Sequence, residues 1–373
     1  MILLTPGPVM TRPEVRAALA QDIAPWDNDF RGVYADVLQR VLAIAGGNPG
    51  AHVTLPLQGC GHFIVEASVR TFVPAGRKIL IPATGSYSDR MIRLAREAGR
   101  IPVVLPIAAN TPVDPLAIEA ALEADASISH VGLVYSETGS GVIHDAEAVG
   151  RAVHRAGRRL IVDAVSAFGA LPFTLANQPE TDAIVFTSNK CIEALPGIAF
   201  AIAPVHRLRD CVGQAGSWSF DLADILTYSE QRGSSRPRFT PPAQVVAAFN
   251  RALDFYDAEG GRIPRLARYT ANMRTFYDGM VGLGLTPCLP AERQGPIIVN
   301  IQAPDDPAWD LQRFVDALKA RGVLISNFFN TPDPSFRVGC IGAITPDDMR
   351  VAVAAMDSAL GEIGITRREA ACP

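Results

Sequence analysis

Arg159-Leu-Ile-Val-Asp163-Ala-Val-Ser166 and Ala183-Ile-Val-Phe-Thr-Ser-Asn-Lys190 are two apolar runs of strand length, each leading to a charged side chain. A run with no polar alternation marks a strand covered on both faces, as in a parallel sheet between helical layers. Working outward, runs of the same kind stand at Val53 to Leu57, Lys78 to Ile81, Ile101 to Leu105, His130 to Val134 and Ile198 to Ile202. Amphipathic helical patterns separate them at Phe63 to Thr71, Asp89 to Ala98, Pro115 to Leu122 and Ala146 to Ala156. This alternation predicts a large α/β domain built on a parallel sheet. Such sheets bind ligands beyond the C-terminal ends of their strands, where Asp163 and Lys190 stand.

After Phe239 the rhythm changes. Pro241-Pro242 and a helical stretch, Val245 to Glu259, lead into helix (Arg265 to Leu283), strand (Pro296 to Gln302), helix (Trp309 to Arg321), short strands (Val323 to Ile325, Phe336 to Val338) and helix (Pro346 to Gly361). That order reads as a smaller α+β domain. The expected division is a large domain over 1–245 and a small one over 246–373, in keeping with about two domains for 373 residues. Arg367 to Pro373 reads as a frayed tail.

Composition excludes several classes of function. With 48% hydrophobic and 19% charged residues, the chain has the material for a buried core. Its formal charge is −4 and no Lys/Arg block occurs, so no nucleic-acid partner is expected. No uncharged apolar stretch approaches the roughly 18 residues that cross a bilayer, and Met1 leads into Ile-Leu-Leu with no basic leader. Neither membrane insertion nor export is expected. The six cysteines (Cys60, Cys191, Cys211, Cys288, Cys340 and Cys372) form no CxxC pair, which gives no zinc site or disulfide framework and fits a cytoplasmic chain.

Three loops carry residues suited to chemistry. Gln58-Gly59-Cys60-Gly61-His62 follows one strand and opens the helical pattern Phe63-Ile-Val-Glu-Ala. Its glycines permit close backbone approach, and a helix N-terminus there would receive a phosphate; taken alone, Gly-Xaa-Gly is also simply a turn, and His62 a structural histidine. Asp163, at the tip of a buried strand, either caps the turn that follows or meets a cation or several donors. Lys190 is either a solvated lysine or one desolvated enough to act as a nucleophile or Schiff-base former. Together the loops supply what pyridoxal 5'-phosphate chemistry requires: a phosphate anchor, an acid for the pyridine nitrogen and an amine for the aldehyde.

On these residues the chain resembles the class V aminotransferases. The likeness is carried by Thr5-Pro-Gly-Pro8, Gln58-Gly-Cys-Gly-His62, Gly85-Ser-Tyr87, Ser136-Glu-Thr138, Val162-Asp163-Ala164, Ser188-Asn-Lys190 with Pro196-Gly197, and Arg238-Phe-Thr240-Pro241. Within the class, Trp26-Asp-Asn-Asp29, Ser188-Asn-Lys-Cys191 and Phe336-Arg337-Val-Gly resemble transaminases that use 2-aminoethylphosphonate and pyruvate. The resemblance runs from about residue 2 to 360. It implies fold type I of the PLP-dependent transferases: a large α/β domain with a mainly parallel seven-stranded sheet, and a smaller α+β C-terminal domain on which the N-terminal segment packs.

By the same likeness Lys190 would carry the cofactor and act as general base, and Asp163 would pair with the ring nitrogen. Gly59, Cys60, Gly61 and His62 would surround the phosphate, Tyr87 would stack on the ring, Thr138 would bond near the ring hydroxyl, and Asn189 would sit beside Lys190. Thr240, with Arg238 nearby, would reach the phosphate of a neighbouring subunit, which implies a homodimer with shared sites. Arg337 would grip the acidic end of the substrate. An amino donor and a 2-oxo acid are the implied partners, with no metal. Alanine:glyoxylate or serine:pyruvate transamination, or a lyase reaction on an aminophosphonate, are the alternatives. Three places depart from the family pattern: Cys60 where serine is expected, Gly139-Ser140 in place of threonines, and Ser326-Asn-Phe-Phe329 in place of a Tyr-Pro-Gly turn.

Overall fold

The computed structural model describes residues 1–366 and 368; the expected frayed tail, 367–373, lies almost wholly outside the described residues. A two-residue strand, β1 (Ile2–Leu3), opens the chain, and seven strands then build one sheet: β2 (His52–Gly59), β3 (Lys78–Ala83), β4 (Ile101–Pro106), β5 (Ile128–Val134), β6 (Arg159–Asp163), β7 (Thr181–Thr187) and β8 (Gly197–Pro204). Their order in space is β2-β8-β7-β6-β5-β3-β4. Neighbours from β4 to β7 are parallel, whereas β8 runs antiparallel to both β7 and β2. The two runs that decide the fold lie side by side at mid-sheet, with Asp163 opposite Val134 on one flank and Val185 on the other.

Alternation along the central strands divides the core into two layers, because successive side chains of a strand leave on opposite faces. Val162, Ile184, Phe186 and Phe200 enter one layer; Ile161, Ala183, Val185 and Ala199 enter the other. In the first layer Phe168 stacks on Phe186 at 3.7 Å and Phe186 on Phe200 at 5.1 Å between ring centroids. The helix Asn28–Ile44 covers this layer with Phe30, Tyr34, Val37 and Val41. It is absent from the elements expected above, although those four residues form a helical stripe.

The C-terminal part has its own core of Phe276, Phe314, Phe336 and Met356. It is built by β9 (Ile298–Gln302), β10 (Val323–Leu324), β11 (Ser335–Gly339) and the helices Arg262–Gly282, Leu311–Ala320 and Pro346–Glu362. β9 and β11 pair antiparallel with Arg337 opposite Asn300. β1 joins this part, pairing Ile2 with Val323 in parallel, and Leu4 is buried in its core. The helix Ala243–Glu259 buries Val246, Phe249 and Leu253 with the large sheet instead. Gly260-Gly261, both at positive φ, separate this helix from the helix Arg262–Gly282, which contributes Met273, Phe276 and Met280 to the C-terminal core. Pro241-Pro242 leads directly into the helix Ala243–Glu259, with Pro242 as its N-cap. No helix among the described residues is long and apolar enough to cross a membrane.

Candidate active site

Asp163 ends β6 and Lys190 lies three residues beyond β7, at the same edge of the sheet. Both are buried and both line one cavity of about 220 Å³. Asp163 Oδ1 accepts the Val165 N–H at 3.0 Å, so this carboxylate does cap the turn that follows it. It makes no salt bridge with any described residue, and burial pushes its pKa up to about 6 against the pull of Val165 N–H, Arg90 and Lys190. Lys190 Nζ donates to the carbonyl of Pro6 at 2.8 Å. Gly7 has φ +143, and a Cβ there would lie 2.2 Å from Nζ, so the N-terminal loop can cross the amine only as glycine. Burial lowers the Lys190 pKa and makes the neutral amine more accessible.

The start of the helix Gly61–Phe72 also lines the cavity. Cys60 is its N-cap residue and makes no side-chain capping bond, which leaves the first N–H groups of the helix for a ligand. Gly61 packs on the loop after β6: a Cβ would sit 2.7 Å from Val165 Cγ2. His62 and Asn189 also line the cavity, the latter held by the Thr187 hydroxyl at 3.0 Å. Gly59 has φ +131 with no room for a Cβ against Phe63, and it faces a neighbouring cleft of about 460 Å³.

Tyr87 lies in the first turn of the helix Ser86–Glu97 and lines the cavity. Burial raises its pKa, but the nearby charge of Lys190, a hydrogen bond with Thr138 and the charges of Arg337 and Arg90 outweigh this and leave it lowered. Arg337 is 3% exposed on β11. Its Nη1 donates to the Thr138 carbonyl at 3.0 Å, and its guanidinium also bonds the Tyr87 side chain. Tyr87, Thr138 and Arg337 thus form one cluster from three elements. Arg238 and Thr240 line the second cleft instead. Arg238 is engaged within its own chain, by Asp224 at 2.6 Å and by the carbonyls of Trp218, Asp221 and Ser219.

A profile of the family described as aminotransferase class-V matches residues 57–326. A 2-aminoethylphosphonate–pyruvate transaminase of Burkholderia ambifaria is 43% identical over 98% of this chain and 96% of its own length. One from Burkholderia lata is 42% identical over 99% of both chains. The chain belongs to the class V aminotransferases. Solved structures repeat the fold at low identity: the ureidoglycine-glyoxylate aminotransferase of Bacillus subtilis has a TM-score of 0.87 at 21% identity, over 98% of this chain and 94% of that one. The aspartate aminotransferase of Thermus thermophilus has 0.84 at 23%, over 97% and 100%.

Class V aminotransferases use pyridoxal 5'-phosphate, and the donor set of the cavity fits that group. It offers a buried amine for the aldehyde, a carboxylate without a salt bridge for the ring nitrogen, and an uncapped helix N-terminus for the phosphate. Two contributors are not singled out by sequence reasoning. Gly7 approaches Lys190 from 183 positions away in the chain (190 − 7), a contact no local pattern encodes. Glu137 is fully buried behind Tyr87, and its Oε1 accepts the Gly139 N–H at 2.9 Å. Burial raises its pKa to about 7. An acid after the buried strand β5 was the available signal.

Proposed function

We propose that this aminotransferase moves the amino group of 2-aminoethylphosphonate to pyruvate, releasing phosphonoacetaldehyde and L-alanine. The observation that carries the catalytic part is the pairing of buried Lys190 and Asp163 across one cavity from an uncapped helix N-terminus. The names of relatives above 40% identity over nearly the whole chain support the substrates.

When bound, pyridoxal phosphate supplies an electron sink for the bond broken at the amine-bearing carbon. Lys190 carries it between turnovers and, once released, takes up and returns the proton of that carbon; its lowered pKa suits a base at neutral pH. Asp163 holds the ring nitrogen protonated. The N–H groups at Gly61 and His62, with Cys60 beside them, receive the phosphate, and Asn189 and Tyr87 bound the ring. Thr138 orients Tyr87 by a hydrogen bond, and Arg337 receives the phosphonate or carboxylate end through its planar fork.

The same reading makes the enzyme a cytoplasmic homodimer. Exposed Phe63 and Phe239 line the cleft that holds Gly59, Arg238 and Thr240, and exposed Trp218 packs on Phe239, an apolar surface suited to a second copy. Arg238 fixes the loop from which Thr240 reaches the partner's phosphate. The large and small parts act as two domains that divide at Gly260-Gly261.

A donor panel with pyruvate, followed by loss of the cofactor absorbance band, tests the reaction. 2-Aminoethylphosphonate should bleach the band and yield alanine in equal amount; free ammonia without alanine would mark a lyase. Lys190→Ala should abolish both turnover and the borohydride-trapped lysine adduct.

A further inference from the structure

Arg337 carries more than a substrate needs. The ring of Phe328 lies over its guanidinium at 4.5 Å. With the Asn330 amide turned so that both of its ends are satisfied, its oxygen accepts from Nη1 at 3.1 Å and its nitrogen donates to the Phe329 carbonyl at 3.1 Å. Phe328 is 51% exposed and Arg337 is 3% exposed, so the outer side of the ring meets solvent and its inner side covers the cation. Nη1 is occupied by Thr138 and Asn330 and the guanidinium also meets the Tyr87 side chain, whereas Nε is buried with no hydrogen-bond partner. An unpartnered N–H on a buried guanidinium is a donor held for a ligand.

The position of this cap traces to Gly139. Its N–H is fixed by Glu137 Oε1 and its carbonyl by the Asn300 amide, so its backbone has little freedom to move. A Cβ there would lie 3.0 Å from Glu137 Oε1 and 3.3 Å from the Asn330 carbonyl. Ser86 Oγ would lie at 3.4 Å, so a side chain at 139 is wedged between Glu137, Ser86 and the Asn330 carbonyl, and these neighbours must give way. A side chain larger than a methyl at 139 would press on the Asn330 carbonyl, and so on the segment that carries Phe328. Gly139 and Phe328, two separate departures from the family pattern, thus meet at Asn330.

We propose that Phe328, seated by the absence of a side chain at Gly139, is a specificity-determining cap that keeps Arg337 dry where it receives the acid group of the substrate. The proposal rests on the reading of Arg337 as the acid receptor. Its physical basis is that an ion pair shielded from water is far stronger than one in open solvent.

The test uses the cofactor-loaded enzyme. Phe328→Ala should raise KM for 2-aminoethylphosphonate about tenfold with kcat within about twofold, the size of a desolvated cation–aromatic contact. Calorimetric binding of ethylphosphonate, which has no amine to react, should weaken by the same factor. Arg337, protected in the parent, should become reactive to phenylglyoxal, located by peptide mass mapping. Gly139→Thr should reproduce these changes, and the double variant should be no worse than the weaker single one, because both remove the same cover. Phe328→Leu, which keeps an apolar cover, should fall between. Unchanged ethylphosphonate binding and phenylglyoxal protection in Phe328→Ala would overturn the cap; additive effects would overturn its link to Gly139. If the parent binds propionate but not ethylphosphonate, the phosphonate reading fails, and the cap is judged on propionate with the same variants.

Discussion

Asp163 keeps its proton to about pH 6 in the cofactor-free chain because burial disfavours its charge and no salt bridge offsets that cost. Between the ordinary carboxylate pKa of 3.8 and about 6, the folded chain binds a proton that the unfolded chain has released. Its stability therefore falls as pH rises through that window. Asp163→Asn should remove the penalty and stabilise the cofactor-free chain at pH 7 by up to about 3 kcal/mol, measured by urea unfolding, while crippling turnover. Cofactor binding needs the ionised acid, so affinity should climb as pH rises toward 6 and level off above it. A fluorescence titration from pH 5 to 8 checks this, and a flat profile would remove Asp163 from the ring. As charges at the ends of apolar runs, Asp163 and Lys190 were legible in sequence. Glu137 was not, because its role depends on the Gly139 amide and on Tyr87, which approaches from another element.

Among the elements, the helix Gly61–Phe72 acts through where its first turn lies. Gly61→Ala would drive a methyl into Val165 and lift that turn away from the cavity. Cofactor affinity should drop about tenfold, the loss of roughly one charge-assisted hydrogen bond, with partial recovery in Gly61→Ala/Val165→Ala, read by absorbance titration. The helix Arg262–Gly282 holds the Lys190 loop from the other side. Arg265 Nη1 donates to the Cys191 carbonyl at 2.6 Å, its Nε donates to Glu259 at 2.7 Å, and the Tyr269 hydroxyl donates to Glu193 at 2.7 Å. Arg265 is fully buried, so Arg265→Leu would strip the Cys191 carbonyl of its donor and leave Arg268 alone to pair with Glu193 and Glu259; a loss of about 1–3 kcal/mol in thermal or urea unfolding is expected. Periodicity displayed this helix, but not that its arginines face a loop from the large sheet.

At the scale of the whole molecule, the cradle and the cleft of Thr240 open as neighbours, with Gly59 on the turn between them. If sites are shared, Lys190→Ala and Thr240→Arg chains, each inactive alone, should on co-expression regain about a quarter of parental activity, since half the dimers are mixed and each of those holds one intact site. No recovery in a verified mixed dimer would make each site self-contained. From the sequence alone came the α/β alternation, the strand-end Asp163 and Lys190, and the glycine-rich entry to a helix, because period, run length and turn chemistry are local properties of the chain. It also displays the stripe Phe30, Tyr34, Val37 and Val41 of the helix Asn28–Ile44. Only the tertiary structure decided that the segment from β1 crosses Lys190, that the helix Ala243–Glu259 packs with the large sheet, and that Phe328 covers Arg337. These are contacts between segments far apart in the chain, set by the closure of two cores around each other, and such closure leaves no periodic mark in either partner.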